Sequence, residues 1–137
     1  MSKPRPRKRE RDRLIEAAVQ AQKRAYCPYS RYPVGAAVLT ETGRVFPGCN
    51  VENASYGLSM CAERAAVYHA VASGHDALRA VCVVGTAAKP CGACRQVMYE
   101  FSDKDTALYL VDINAATGRR TVYKTTVYRL LPLAFDP

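Results

Sequence analysis

Three cysteines constrain this chain more tightly than anything else in it. Cys61 opens the run Cys61-Ala62-Glu63-Arg64, and Cys91 and Cys94 sit in Pro90-Cys91-Gly92-Ala93-Cys94. Each stretch reads as the start of a helix. A fold that brings the two starts together would place three thiols around one metal ion, with the Glu63 carboxylate beside them. Zinc held by three protein ligands keeps a fourth position for water, whereas a closed four-thiolate site is structural, so three ligands imply chemistry. Cys91 and Cys94 are three apart and share a helix face, and a helix amino terminus favours thiolate over thiol. Three thiolates more than cancel the two charges of the ion, which blunts its power to acidify water. Arg64 lies three residues after Cys61 on the same face, and its planar fork can donate hydrogen bonds to the sulfurs. Glu63 stands only two residues from Cys61 and points elsewhere, so it is placed to carry a proton rather than to bind metal. Taken singly, these cysteines could be small buried hydrophobes and Glu63 and Arg64 a solvated face. The full combination, with Pro90 ahead of the pair, is too demanding for coincidence.

The 137 residues suit one domain with its own core. Apolar residues at 49% and charged residues at 23% are ordinary for a globular chain, and no apolar run approaches the roughly 18 residues of a membrane span. The amino terminus is a basic run with no apolar stretch behind it, so no signal peptide is expected and the expected compartment is the cytoplasm. There, six cysteines point to metal binding or reduced thiols rather than cross-links. The net charge of +8 invites a nucleic-acid partner, yet +5 of it falls within residues 1–13, where seven Lys and Arg outweigh Glu10 and Asp12. Interleaved with Pro4 and Pro6, that stretch is expected to be a mobile basic arm, and residues 14–137 a single domain.

Periodicity places a first helix from about Leu14 to Ala25, ended ahead of Pro28. Val34 to Leu39 and Arg44 to Pro47 read as a hairpin about Glu41-Thr42-Gly43, followed by an irregular polar stretch from Cys49 to Tyr56. Ser59 is a candidate cap for a helix from about Met60 to Ser73. Leu78 to Gly85 is a continuous apolar run, the mark of a central strand covered on both faces, with Cys82 in the core. A helix over Gly92 to Phe101, a strand over Ala107 to Val111, an edge strand over Thr121 to Lys124 and a short last helix capped by Thr126 complete an α/β layered pattern. His69, two turns along its helix from Cys61, and His75 fall outside the ligand pattern.

Five blocks now stand in order: Pro28-Tyr29-Ser30, Gly48-Cys49-Asn50-Val51-Glu52-Asn53-Ala54-Ser55-Tyr56-Gly57, Cys61-Ala62-Glu63-Arg64, Pro90-Cys91-Gly92-Ala93-Cys94-Arg95-Gln96 and Leu130-Leu131-Pro132. With them the chain, from about Leu14 to Phe135, closely resembles the small zinc-dependent cytidine deaminases, whose signature it matches with Cys in the first place. The resemblance implies a three-layer α/β/α sandwich on a mixed five-stranded sheet and hydrolysis of cytidine and deoxycytidine to the uridine nucleosides, with release of ammonia. It also implies one zinc per subunit and a homotetramer with composite sites. By matching residues, Cys61, Cys91 and Cys94 look like the zinc ligands, Glu63 the proton shuttle and Arg64 the charge balance. Asn50 and Glu52 look like the pair on the ribose 3′-hydroxyl, and Ala54 like a backbone contact to the base. Tyr56 and Phe135 resemble residues supplied by neighbouring subunits, Phe135 as an aromatic lid.

Three departures stand out. Tyr32 replaces a Phe stacking near the base, so its hydroxyl needs a partner. Lys89 replaces the Ser before Pro90, and the basic arm is longer than the family needs. A carboxylate at Glu52 would repel a phosphate on the 3′-oxygen, which favours free nucleosides over polynucleotides; without the resemblance, Asn50 and Glu52 serve equally well as satisfiers of turn backbone. Two rivals make contrasting predictions. A deaminase of a nucleoside antibiotic such as blasticidin S shares the zinc motifs but not Asn50, Glu52 and Phe135. A zinc-stabilised nucleic-acid binder would close a four-thiolate site with Cys27 or Cys49 and bind in a salt-sensitive way.

Overall fold

The computed structural model describes residues 5–137; residues 1–4, the first part of the expected arm, lie outside the described residues. Helices α1 (Lys8–Gln22), α2 (Ala62–Ala72) and α3 (Gly92–Glu100) accompany strands β1 (Gly35–Thr40), β2 (Val45–Cys49), β3 (Leu78–Gly85), β4 (Ala107–Ile113) and β5 (Arg120–Thr126). The strands form one five-stranded sheet in the order β2-β1-β3-β4-β5. Only the β3–β4 pair is parallel, with α3 as its crossover, and the other three pairs are antiparallel. The mixed five-stranded sheet implied by the resemblance is therefore present.

Side-chain alternation divides the core between two faces. On one face Leu14, Ala18 and Val19 of α1 pack against Leu39, Ala80, Cys82, Val84 and Tyr109. On the other, Ala66, Val67 and Ala70 of α2 and Cys94 and Met98 of α3 pack against Val38, Val81, Val83 and Leu108. Every residue of β3 is buried, which explains its unbroken apolar run. Fully burying one of these Val or Leu side chains stabilises the fold by about 1.5–3 kcal/mol, so the sheet rigidly fixes the two helices that carry the cysteines.

Helix α1 starts at Lys8, not near Leu14, so residues 8–13 of the expected arm are helical. The reason lies 69 positions away in sequence. Arg79, the one charged residue in β3, is 8% exposed and donates to both Glu10 carboxylate oxygens, at 3.0 and 2.6 Å. Glu10 also accepts the Arg7 amide, closing the first turn of the helix, and the Arg79 contact holds its carboxyl below the usual range. Ser59 does not cap α2. Its hydroxyl accepts the Asn53 amide, and Cys61 itself is the N-cap residue. The last element is a single 3-10 turn, Tyr128–Leu130, with the Thr126 hydroxyl accepting from the Arg129 amide.

The loops before β1, after β2 and after β3 all lie at one end of the sheet, because Gly35 pairs with both Cys49 and Val84. There β2 runs hard against α2. A Cβ on Gly48 would collide with the Ala66 amide nitrogen and meet the Ala62 carbonyl at 2.8 Å. Glycine thus sets the close approach that positions the Cys61 helix. Gly48→Ala should lower stability by roughly 1–3 kcal/mol, the usual cost of overpacking, in thermal or denaturant melts; an unchanged midpoint would show that the strand and helix can part without cost.

Candidate active site

Two helix amino termini meet at this end of the sheet. Cys61 is the N-cap of α2 and Cys91 the N-cap of α3, both in extended backbone, and the Cys91 sulfur accepts the Cys94 amide at 3.5 Å. The sulfurs of Cys61 and Cys91 are 4.0 Å apart, and all three ligand sulfurs lie within 4.8 Å of one another. Sulfurs about 2.3 Å from a tetrahedral zinc stand about 3.8 Å apart, so the cluster needs little adjustment to hold that ion. Among the described residues these three cysteines are the one group of this kind, and Glu63, Cys27, Cys49 and both histidines lie outside it. Cys94 is buried, Cys61 half-buried and Cys91 exposed, which leaves one side of the cluster open.

The electrostatics favour a cation. Hydrogen bonds from Cys94 and then Arg64 outweigh burial at Cys61 and bring its thiol down to about 5. The neighbouring Cys94 thiol is pushed up, first by its bond to Cys61 and then by burial, because a second negative charge so close is resisted. A divalent ion removes that conflict. Arg64 donates from Nη2 to the Cys61 sulfur at 3.4 Å, as its spacing on α2 requires, while its Nε is buried without a partner among the described residues. The guanidinium thus has a spare donor beside sulfurs that gain charge on metal binding.

A cavity of about 400 Å³ opens beside the cluster, lined by Cys61, Glu63 and Cys91 on one side, by Tyr32, Asn50 and Glu52 on another, and by Lys89. Its size suits a small organic molecule. Glu63 is 4% exposed, and burial, supported by the nearby Cys61 charge, raises its carboxyl to about 7. A carboxyl poised there can both take and give a proton near neutrality.

The polar wall is laced together. Asn50 accepts the Val34 amide at 2.9 Å and donates to the Tyr32 carbonyl at 2.8 Å. Glu52 accepts the amides of Tyr29 and Ser30 at 3.0 and 3.1 Å and also the Ser30 hydroxyl. These contacts, the hydroxyl first, hold the Glu52 carboxyl below its ordinary range. Both side chains do satisfy loop backbone, yet both still line the cavity. An ionised carboxylate has about four acceptor sites, so Glu52 retains capacity for a further hydroxyl.

The Tyr32 hydroxyl finds its partner in the Thr86 carbonyl, and burial raises its pKa. Ala54, Tyr56 and Phe135 stand outside this cavity; Tyr56 and Phe135 are 74% and 73% exposed. The sequence reading gave no role to Ser30, which orients Glu52, or to Arg95, which braces the cysteine loop by donating to the carbonyls of Pro90 at 2.8 Å and Leu130 at 3.1 Å. Arg95 follows Cys94 directly on α3, and that adjacency was the available signal.

Residues 8–110 match the model of the cytidine and deoxycytidylate deaminase zinc-binding region. The chain belongs to this deaminase family. A cytidine deaminase of Halalkalibacterium halodurans is 46% identical over 129 residues, covering 92% of this chain and 94% of that protein. One from Sporosarcina psychrophila is 42% identical over 128 residues, with coverages of 91% and 90%. Among solved structures, the cytidine deaminase of Burkholderia pseudomallei superposes with a TM-score of 0.82 at 46% identity, over 90% of this chain and 98% of that one. The enzyme from Mycobacterium tuberculosis gives 0.75 at 40%, covering 92% and 97%. As a family member, this chain is a zinc-dependent deaminase with a three-layer α/β/α fold.

The Glu63 shift has a consequence for stability. A carboxyl whose folded-state pKa lies above its unfolded value binds its proton more tightly when folded. The associated stability is complete below pH 4.5 and is lost as pH rises through about 7. In metal-stripped protein, Glu63→Gln should therefore be more stable than the parent at pH 8, by roughly 3 kcal/mol at most. The difference should vanish near pH 4. Melting curves at both values decide; equal midpoints at pH 8 would mean that Glu63 is not strained.

Proposed function

We propose that the chain catalyses hydrolytic deamination of cytidine and deoxycytidine to uridine and deoxyuridine, releasing ammonia. The observation that carries this reading is the juxtaposition, in one cavity, of three converging thiols, a buried carboxyl raised to about 7 and a loop-fixed carboxylate. Cys61, Cys91 and Cys94 would hold one zinc ion per subunit. Bound there, zinc supplies a Lewis acid and brings water near neutrality to the point of ionisation.

Glu63 takes a proton from the attacking water, delivers it to N3 of the base, and then assists the departing amine as it leaves C4. Its burial serves this double duty, since a carboxylate of ordinary acidity would be too weak a base to take the proton from water and keep it near neutrality. Arg64 offsets sulfur charge and orients Cys61. Tyr32, fixed through its hydroxyl, presents its ring to the cavity. Asn50 and Glu52 bind the ribose 3′-hydroxyl, and the negative charge of Glu52 turns away a 3′-phosphate. Free nucleosides are thus the substrates, and nucleic acid is not.

Ala54 is assigned a backbone contact to the base, and Tyr56 and Phe135 are assigned to composite sites in a homotetramer, where Phe135 closes over the base of a neighbouring subunit. This assignment rests on the resemblance, and it accords with the exposure of both aromatic rings and their position outside the chain's own cavity. Residues 14–137 then form one deaminase domain, with α1 extending it back to Lys8. No helix among the described residues is long and apolar enough to cross a membrane, and we place the enzyme in cytoplasmic pyrimidine salvage.

The test is ammonia release from cytidine, deoxycytidine, cytosine, blasticidin S and a single-stranded oligonucleotide, with zinc measured alongside. The two cytidine nucleosides should be turned over. Glu63→Gln should retain zinc and lose at least 10²–10⁴-fold in rate, the usual worth of a positioned acid-base group. Near-parental activity in that variant, or turnover of the oligonucleotide at the cytidine rate, would refute the assignment.

A further inference from the structure

A second cavity, of about 240 Å³, lies at the opposite end of the parallel strands from the cysteine cluster and is lined by Arg5, Asp105, Lys124, Thr126 and Arg129. Its three cations come from three separate segments: Arg5 from just ahead of α1, Lys124 from the edge strand β5, and Arg129 from the 3-10 turn. The sheet register explains the convergence. Lys124 and Thr126 pair with Tyr109 and Ala107, whose side chains pack on the α1 face, so the β5 pair projects toward the start of α1. Among the described residues, none of the three cationic side chains makes a hydrogen bond or ion pair, whereas Arg79, Arg95 and Arg120 all do. The one carboxylate in the lining, Asp105, is paired with Lys104 at 3.1 Å. Three cations against one carboxylate leave the lining at +2.

Unpartnered like charges held around one concavity repel one another and attract an anion with several oxygens. Two guanidinium groups and an ammonium, all on exposed residues lining the same cavity, can each donate to the oxygens of a tetrahedral oxyanion, and the volume equals that of about eight waters, enough for more than one phosphate. We propose that this cavity is a binding site for phosphate groups, either free phosphate or the phosphate tail of a nucleotide. The site is separate from the deaminase cavity by roughly 20 Å, the length of a strand of six residues. It leaves the free-nucleoside preference of the catalytic site untouched, since Lys124 and Arg129 belong to no part of that site.

The experiment is isothermal titration of the zinc-loaded enzyme with inorganic phosphate, with ATP and with adenosine, at ionic strength matched with sodium chloride. A single-stranded oligonucleotide is run in parallel. Saturable binding of one phosphate or ATP per chain, with none of adenosine, supports the site. ATP binding at least tenfold tighter than phosphate assigns it to nucleotides, and equal binding assigns it to the free anion. Lys124→Glu combined with Arg129→Glu should weaken that binding at least tenfold while leaving cytidine turnover unchanged. Should the double reversal unfold, Lys124→Gln with Arg129→Gln should weaken it in the same direction. The proposal is overturned if no saturable binding occurs at millimolar ligand, if the variants bind as the parent does, or if only the oligonucleotide binds.

Discussion

Everything distinctive about this molecule depends on two helices that begin, on a cysteine, at the same point in space. The sheet enforces this. Helix α2 is pressed onto β2 through the close approach at Gly48, and α3 is the crossover between the buried parallel strands β3 and β4. Neither helix can slide along the sheet without disrupting residues such as Val67 or Met98, which are fully buried. The cost of bringing three ionisable sulfurs together is therefore met by the hydrophobic core. Helix amino termini and Arg64 lower that cost locally, and a divalent cation removes what is left.

The same geometry accounts for Glu63. Two residues after the half-buried Cys61, as the second residue of α2, it is carried into the interior with no side-chain partner among the described residues strong enough to keep its carboxyl acidic. A folded protein tolerates such a group at the expense of stability, a pattern common where a proton must change hands. Glu52 is the contrast within one cavity. It is held by two amides and a hydroxyl, stays ionised, and suits recognition rather than proton transfer. Two carboxyls that line one cavity thus acquire opposite characters from their surroundings.

Much of this was legible in the sequence, because the informative signals were local. The unbroken run of β3, the hairpin about Gly43 and the cysteine spacings each depend on residues close together in the chain, and the strands expected there are present. The start of α1 was not legible. Its charges at residues 8–13 look like a solvated arm until Arg79, far away in sequence, supplies a buried partner for Glu10. The cap of α2 was misread for a related reason: Ser59 satisfies Asn53 in the preceding loop, which leaves the N-cap position to Cys61. At the site, residue types announced the thiols and Glu63. The bracing by Thr86 and Arg95 passes through backbone carbonyls, and that by Ser30 through its amide as well as its hydroxyl, partners which sequence cannot display.

The central claim is that three sulfurs bind the metal and the fourth position is left to solvent. X-ray absorption at the zinc edge of the purified enzyme addresses it directly, since sulfur and lighter donors scatter differently. The account predicts three sulfur neighbours and one oxygen neighbour per zinc. A shell of four sulfurs, or one containing an imidazole, would contradict it and return the cluster to a structural role.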